Sequence, residues 1–211
     1  MCYPDNVAQI ASLKPDFMGF IFYPLSPRNA LSTPSSVFLQ LPPEITPVAV
    51  FVDSLSDEII EITSSRNISV VQLHGNESPE FCAGLKGKGI TVIKAFKIQN
   101  DPDTFSFDQL SSYVGNVDYF LFDTAGKNQG GNGIKFDWKI LSNYHLTTPF
   151  LLSGGIGPDD NDLSVDEIHP QCIGIDINSK FEISPGVKDV DKVSQFLITI
   201  RNEQTEYSSK K

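Results

Sequence analysis

The chain has 211 residues, 40% of them hydrophobic and 20% charged, which is typical of one globular domain with its own core. Its 26 acidic residues outnumber its 16 basic ones, and the net charge of −10 argues against nucleic acid or an anionic membrane as the main partner. Three cysteines without a CxxC pair argue against a disulfide framework or a zinc site and favour a cytoplasmic location. We expect neither a membrane span nor a signal peptide, because no apolar run approaches the roughly 18 residues that a membrane helix needs.

Taken in chain order, the predicted elements begin with a helix and continue as alternating strands and helices. Pro4 and Asp5 precede a helical apolar pattern at Val7, Ile10 and Leu13. Seven strand-like runs follow, at 17–23, 48–52, 70–75, 91–97, 119–124, 150–155 and 173–179. Most of these runs are continuously apolar, which is typical of strands buried on both faces of a parallel sheet.

Helical patterns lie between and after these strands, most clearly at Ser56–Arg66, Ser78–Lys86 and Lys188–Arg201. Shorter helical segments are predicted after Thr33, Thr104, Phe136 and Gly157. Seven strands and eight helical segments are interpreted as an α/β protein, a (β/α)8 TIM barrel whose first strand is absent. This single domain is expected over residues 1–203, with a polar tail at 204–211. An open doubly wound sheet is the alternative, but the chain lacks the GxGxxG that such a sheet often carries after its first strand.

Polar residues stand at the carboxyl ends of the strand-like runs, where the site of a barrel gathers. The residues predicted to face one mouth are Arg28, His74, Lys97, Asp123 and Asp176. Asp123 follows four apolar residues, so desolvation would raise its pKa and suit it to act as a general acid, although it could equally cap the next loop. The glycine-rich loop at 125–133 is interpreted either as a lid over the site or as an ordinary surface loop.

Two segments after the last two strands are candidates for phosphate binding. SGGIG (153–157) and DINS (176–179) occupy positions where barrels often bind phosphate. Their glycines let the backbone approach an anion closely, but a tight turn needs glycine as well. Three histidines, none at metal-ligand spacing, argue against a metal site. By residue type alone, Arg28 fits a solvated surface position as well as a carboxylate ligand, and His74 fits a hydrogen-bonded strand end better than a proton carrier.

Eight segments together resemble the phosphoribosylanthranilate isomerase family of tryptophan biosynthesis. In chain order they are GFIFYPLSPR, VAVFVD, VVQLHGNESPEFC, VIKAF, FLFDTAGKNQGGNGIKFDW, PFLLSGGIGPDD, GIDINSKFE and SPGVKD. The motifs QLHG-x-E, GG-x-G-x-x-FDW and SPG-x-KD are highly specific in this order, and the resemblance extends to about Arg201. It implies a (β/α)8 barrel and an aldose–ketose isomerase, an intramolecular oxidoreductase that uses no metal or organic cofactor.

The implied reaction is an Amadori rearrangement of N-(5-phosphoribosyl)anthranilate to 1-(2-carboxyphenylamino)-1-deoxyribulose 5-phosphate, which needs a general acid and a general base. The resemblance assigns the acid to Asp123 and the anthranilate carboxylate to Arg28. It places Asp176 near the sugar hydroxyls, and His74 is also predicted to bind the substrate. It assigns the phosphate to the backbone around Gly154, Gly155, Asn178 and Ser179. Where the family often has Ser-Ser-Gly, this chain has Asn-Ser-Lys at 178–180, which changes the second phosphate loop.

The base that the resemblance implies is a cysteine at the end of a first strand, just ahead of the position that Met1 occupies. Cys2 falls about three positions later, so it is not the counterpart of that cysteine. We therefore expect the strand and the base to be absent from this sequence, with two sheet edges unpaired and activity impaired. Either the start was misassigned at an internal Met, which is the favoured hypothesis, or the short form is real and catalytically crippled.

Three functions are compatible with these patterns. The isomerase is favoured, and a non-catalytic phosphosugar-binding barrel is the alternative, which would keep the phosphate loops and Arg28 without turnover. An aldolase or epimerase would need a metal cluster or a Schiff-base lysine, for which Lys94 and Lys97 are candidates that lack a convincing partner. The expected partner is the small phosphosugar–anthranilate substrate, bound by a monomer or homodimer, with no nucleic acid or membrane partner.

Overall fold

The computed structural model describes residues 1–98, 105–124, 137–160 and 168–208. Seven parallel strands form one sheet in the order of the sequence. They are β1 (Phe17–Ile21), β2 (Thr46–Phe51), β3 (Val70–Leu73), β4 (Thr91–Ile98), β5 (Tyr119–Thr124), β6 (Phe150–Leu152) and β7 (Cys172–Ile175). Each of them overlaps one of the seven predicted runs, because a run of buried β-branched and aromatic residues is what a parallel sheet needs.

The prediction of a (β/α)8 TIM barrel is wrong. Within the described residues the sheet has two ends, β1 and β7, which do not pair with each other, so the seven strands form a half-barrel. The number of strand-like runs is correct, but barrel closure depends on whether the first and last strands meet, and hydrophobic patterns carry no information on that. A cavity of about 920 Å³ lies inside the half-barrel, with Gly19 of β1 and Ile175 of β7 on its wall.

Helices cover the outer face of the sheet. Within the described residues the α-helices are α1 (Pro4–Ala11), α2 (Ser35–Leu39), α3 (Ser56–Arg66), α4 (Pro79–Lys86) and α5 (Val190–Ser208), and the 3-10 helices are Phe107–Tyr113, Trp138–Asn143 and Ser179–Phe181. Helix α1 confirms the predicted opening helix, and α3 has the predicted bounds. Helix α3 ends where Asn67 adopts a left-handed conformation (φ 53°), and α4 begins where the Ser78 hydroxyl accepts a hydrogen bond from the Phe81 N–H.

The core has two layers, one on each face of the sheet. Successive residues of a strand point to opposite faces, so the residues of one strand contribute to both layers. The inner layer is small and lies at the cavity; it contains Val48, Val70, Ile93, Ala95, Leu121 and Leu151. Lys94, between two of these residues, therefore faces the outer layer, whereas Asp123, two residues after Leu121, faces the cavity. This alternation decides which strand residues can reach a ligand.

A two-stranded antiparallel hairpin after β7 was not predicted from the sequence. It comprises β8 (Glu182–Ser184) and β9 (Val187–Lys188), which are joined through Gly186 (φ 85°). The Asn6 amide of α1 donates to the Lys188 carbonyl (2.9 Å) and accepts from the Lys188 N–H (2.7 Å), which docks β9 on α1. The helix predicted over Lys188–Arg201 therefore begins later, at Val190. The Ser-Pro-Gly sequence between β8 and β9 is typical of a turn and could have indicated the hairpin.

Candidate active site

The carboxyl ends of the strands meet at one end of the 920 Å³ cavity. Seven of the eight residues predicted for the site lie on its wall: His74, Asp123, Gly154, Gly155, Asp176, Asn178 and Ser179. They come together because the carboxyl ends of neighbouring parallel strands lie side by side at one edge of a sheet. Arg28 is not on this wall, and the loop at 125–133, interpreted as a lid or a surface loop, lies outside the described residues.

Asp123 is a mostly buried carboxyl on the inner face of β5. Burial raises its pKa from the ordinary 3.8 to about 6, and the nearby carboxyl of Asp176 acts in the same direction. The Thr124 N–H donates to Asp123 Oδ1 at 2.8 Å, and Lys97, its register partner on β4, lies on the same wall; both effects oppose the rise. The result is a carboxyl that holds its proton to nearly neutral pH, as a general acid requires.

Asp176 follows β7 on the other side of the phosphate-candidate turn. Burial raises the pKa of its carboxyl, although the Ser153 hydroxyl donates to its Oδ2 at 3.0 Å. The Asp176 N–H also donates to the Leu152 carbonyl (2.7 Å), which fixes the residue beside the end of β6. The cavity thus carries two carboxyls of raised pKa on β5 and after β7, separated by the turn that follows β6.

That turn is built around two glycines in left-handed conformations, Gly154 (φ 91°) and Gly155 (φ 68°). A Cβ on Gly154 would lie 2.3 Å from Thr124 Oγ1 and 2.9 Å from Asp123 Oδ1, so only glycine fits against the end of β5. Asn178 and Ser179 lie on the same wall at the start of a 3-10 helix. The turn therefore brings the predicted phosphate-binding backbone into direct contact with the predicted acid.

Replacing Gly154 by alanine is expected to weaken binding of inorganic phosphate at least tenfold, because the added Cβ displaces the turn from Thr124 and strains a positive φ. Isothermal titration measures this affinity. Gly84→Ala, where a Cβ would meet nothing within 4 Å, is the matched control and is expected to bind phosphate as the unchanged chain does. Equal affinities of the two variants would contradict a phosphate site at this turn.

His74 follows β3 and is held as a neutral imidazole. Burial, together with the charges of Lys94 and Lys97, lowers its pKa to about 4. The Gln72 amide contacts His74 Nε2. Gln72 itself lies on the cavity wall. A neutral imidazole has one N–H, so His74 can donate one hydrogen bond without carrying a charge.

Arg28 lies after β1 and is engaged with the hairpin. Its Nε donates to both carboxylate oxygens of Glu182 (3.0 and 2.9 Å), and its Nη2 lies 2.7 Å from Glu182 Oε2. The Lys188 ammonium lies 3.3 Å from Glu182 Oε1. Sequence reasoning did not select Glu182 or Lys188 as site residues. Both lie inside motifs that carry the family resemblance, SKFE and SPG-x-KD. These motifs mark the two positions, but they do not by themselves indicate a chemical role for either side chain.

The three cysteines are free thiols, and none of them lies on the cavity wall. Cys82 and Cys172 are buried, and Cys2 Sγ approaches the Gly186 carbonyl at 3.9 Å. Among the described residues no three His, Cys, Asp or Glu side chains are grouped to hold a metal ion. In the same part of the chain, no helix combines the length and the apolar character needed to cross a membrane.

Comparisons with known proteins show the family of the chain. A family model described as N-(5'-phosphoribosyl)anthranilate (PRA) isomerase matches residues 3–199. A protein named N-(5'-phosphoribosyl)anthranilate isomerase from Parabacteroides distasonis is 42% identical over 96% of this chain and 91% of its own length, and one of the same name from Phocaeicola vulgatus is 40% identical over 95% and 94%.

Solved structures give the same result. The phosphoribosyl anthranilate isomerase from Thermotoga maritima superposes with a TM-score of 0.80 at 27% identity, over 96% of each chain. A second isomerase, solved in complex with reduced 1-(o-carboxyphenylamino)-1-deoxyribulose 5-phosphate, superposes with a TM-score of 0.78 at 26% identity, over 96% of this chain and 95% of its own. The chain therefore belongs to the phosphoribosylanthranilate isomerase family.

Proposed function

We propose that this chain acts in tryptophan biosynthesis, converting N-(5-phosphoribosyl)anthranilate to 1-(2-carboxyphenylamino)-1-deoxyribulose 5-phosphate. The observation that carries the proposal is the position of Asp123, a carboxyl with a pKa near 6 that touches a turn of two left-handed glycines. An acid beside an anion-binding turn suits a sugar phosphate whose ring must be protonated to open. The family membership supports the same reaction.

In the proposed mechanism Asp123 gives its proton to the ribose ring oxygen, and the ring opens to an iminium ion. A base then removes the proton at C2′ to give an enolamine, which tautomerises to the ketone. The backbone at Gly154 and Gly155, with Asn178 and Ser179, holds the phosphate. The Ser153–Asp176 pair and the neutral imidazole of His74 bind the sugar hydroxyls and fix the sugar ring.

Arg28 is proposed to bind the anthranilate carboxylate. Within the described residues its Nε and Nη2 contact Glu182, which leaves Nη1 and the second Nη2 hydrogen as donors. A guanidinium that is bonded on one edge can bind a second carboxylate on another, because its donors point in fixed directions. The pair with Glu182 thus fixes the guanidinium plane rather than blocking it.

None of the three thiols of this chain is proposed as the general base, because none of them lies on the cavity wall. The test is to follow the loss of anthranilate fluorescence from the aminoaldose with this chain and with a version extended by a strand that ends in Cys-Gly. We expect faster turnover only in the extended version, and an extended version with alanine for that cysteine is its control. Full turnover by this chain alone would show that another group is the base.

The rate is expected to depend on pH through Asp123. Since burial raises its pKa from 3.8 to about 6, the protonated acid is abundant below pH 6 and decreases about tenfold per pH unit above it. We therefore expect kcat to decline as the pH rises from 6 to 8, measured in buffers of constant ionic strength. The stability of the folded state changes with pH in the same direction. Because the folded state binds the Asp123 proton more tightly than the unfolded state does, the contribution of Asp123 to stability is fully present below pH 3.8 and is lost as the pH rises through 6. A kcat that is flat from pH 5 to 8 would contradict this role.

The non-catalytic phosphosugar-binding protein stays the alternative, and the same assay separates it. Tight product binding without turnover in either version would favour it. A Schiff-base enzyme is less well supported, because Lys94 faces the outer layer and contacts Glu77, which leaves Lys97 on the cavity wall as the remaining candidate. A monomer or homodimer in the cytoplasm is also a proposal; a related solved protein from Thermotoga maritima is described as a dimer from which monomers were generated.

A further inference from the structure

A buried set of charged side chains connects the two predicted binding groups for the ends of the substrate. On one side, Glu182 of β8 binds Arg28 through three contacts of 2.7 to 3.0 Å. On the other side, Lys188 of β9 donates to the Asn178 carbonyl at 3.0 Å and to Asn178 Oδ1 at 2.6 Å. Glu182 and Lys188 are register partners across the hairpin, and their charged atoms lie 3.3 Å apart. We call Arg28, Glu182, Lys188 and Asn178 the hairpin network.

The hairpin network is shielded from water. The side chains of Arg28, Glu182 and Lys188 are only 14%, 5% and 10% exposed. Buried charges of this kind are costly unless each is paired and hydrogen-bonded, and here each has a partner. Two cations against one carboxylate leave the three side chains with a net charge of +1, in a chain whose overall charge is −10. A local positive charge of this kind suits an anionic ligand.

Three hydrogen bonds fix the hairpin itself. The Gly186 N–H donates to Glu182 Oε1 at 3.1 Å, which closes the turn over the carboxylate. The Asn6 side chain of α1 makes two hydrogen bonds to the backbone of Lys188. The hairpin is thus anchored on a helix, and its Lys188 lines the cavity wall together with Asn178.

We propose that Glu182 and Lys188 are positioning residues that hold Arg28 and Asn178 in one connected arrangement. The carboxylate and the phosphate of the substrate are then bound at a fixed separation. The carboxylate part of this inference rests on the proposed function, because that function identifies the carboxylate. The part about phosphate depends only on the turn at Gly154 and Gly155 and on Asn178. Lys188 orients Asn178, since its ammonium donates hydrogen bonds to that residue and to Glu182. Glu182 orients Arg28, since it fixes one edge of the guanidinium.

The test compares Lys188→Met and Glu182→Gln with Lys192→Met, a matched control whose ammonium pairs with Asp189 at the surface. Inorganic phosphate is the first probe, with its affinity measured by calorimetry. We expect Lys188→Met to weaken phosphate binding about tenfold or more, Lys188→Arg to recover part of that affinity, and Lys192→Met to have no effect. Because phosphate is not the isomerase substrate, this arm reports on the network even where turnover is not seen.

The second probe is a pair of substrates, phosphoribosylanthranilate, which has a carboxylate, and phosphoribosylaniline, which lacks it. Turnover of both is measured in the version of the enzyme extended by the cysteine strand. We expect Glu182→Gln to raise KM about tenfold for the first only, with a smaller change in kcat. If no version of the chain shows turnover and none binds the product, the proposed function is refuted. The phosphate measurements would still test the hairpin network in that case. Phosphate affinity that is unchanged in both Lys188→Met and Glu182→Gln, even with lowered thermal stability, would make the network purely structural and overturn the inference.

Discussion

Replacing Asp123 by asparagine is expected to lower kcat/KM by about 10²- to 10⁴-fold, the usual contribution of a positioned general acid. Asparagine has nearly the same shape and can still accept the hydrogen bond from the Thr124 N–H, but it cannot give a proton to the ring oxygen. The measurement is steady-state turnover of the aminoaldose, in whichever version of the chain turns over faster. The decline of kcat above pH 6 should disappear together with the acid.

Asp16→Asn is the matched control for this change. Asp16 lies on the wall of the same cavity, just ahead of β1 and therefore at the opposite end from the strand-end residues. The same chemical change there is expected to leave the rate within about twofold, because the residue is far from the turn of two glycines. Near-full activity of Asp123→Asn would remove Asp123 from the mechanism.

Replacing Lys94 by methionine is expected to lower the free energy of unfolding by about 3–5 kcal/mol, the cost of leaving one member of a buried ion pair alone. Lys94 Nζ lies 3.1 Å from Glu77 Oε2, and the two side chains are only 2% and 3% exposed. The ammonium also donates to the carbonyls of Gly75 (2.8 Å) and Ala95 (3.1 Å), which methionine cannot do. Urea denaturation followed by circular dichroism measures the loss.

Two controls separate pairing from simple burial. The double variant Glu77→Gln with Lys94→Met removes both charges and is expected to be more stable than Lys94→Met alone. Lys86→Met breaks a half-exposed pair with Asp118 (2.9 Å) and is expected to cost less than about 1 kcal/mol. A double variant as unstable as the single one would show that the packing of Lys94, and not its charge, decides stability.

This pair also explains the glutamate of the QLHG-x-E motif. Glu77 Oε1 accepts from the N–H groups of Asp53 (2.9 Å) and Gly75 (3.2 Å), so its carboxylate joins the ends of β2 and β3 to Lys94 of β4. Gly75 has no room for a side chain, since a Cβ would lie 2.2 Å from Asp53 Oδ1. The motif therefore fixes the turn that carries His74, which a sequence pattern can mark but not explain.

The strands and the positions of most candidate site residues could be predicted from the sequence because they depend on local patterns. A continuously apolar run predicts a buried parallel strand, and the polar residue that ends it must lie at the sheet edge; Asp123 and His74 were found in this way. The raised pKa of Asp123 was also expected, since four apolar residues before it predict desolvation. The β8–β9 hairpin was not predicted, because each strand is too short for a periodic pattern.

By itself, the sequence determined which segments form strands, which of their ends carry polar groups, and which family the motifs resemble, because side-chain size and hydrophobicity act between near neighbours in the chain. Only the tertiary structure decided that β1 and β7 stay apart in a half-barrel, and that Arg28 meets Glu182 across 154 residues of chain. Such pairings depend on the relative positions of whole elements in space. No local pattern encodes those positions, so the chemistry of the hairpin network became visible only in three dimensions.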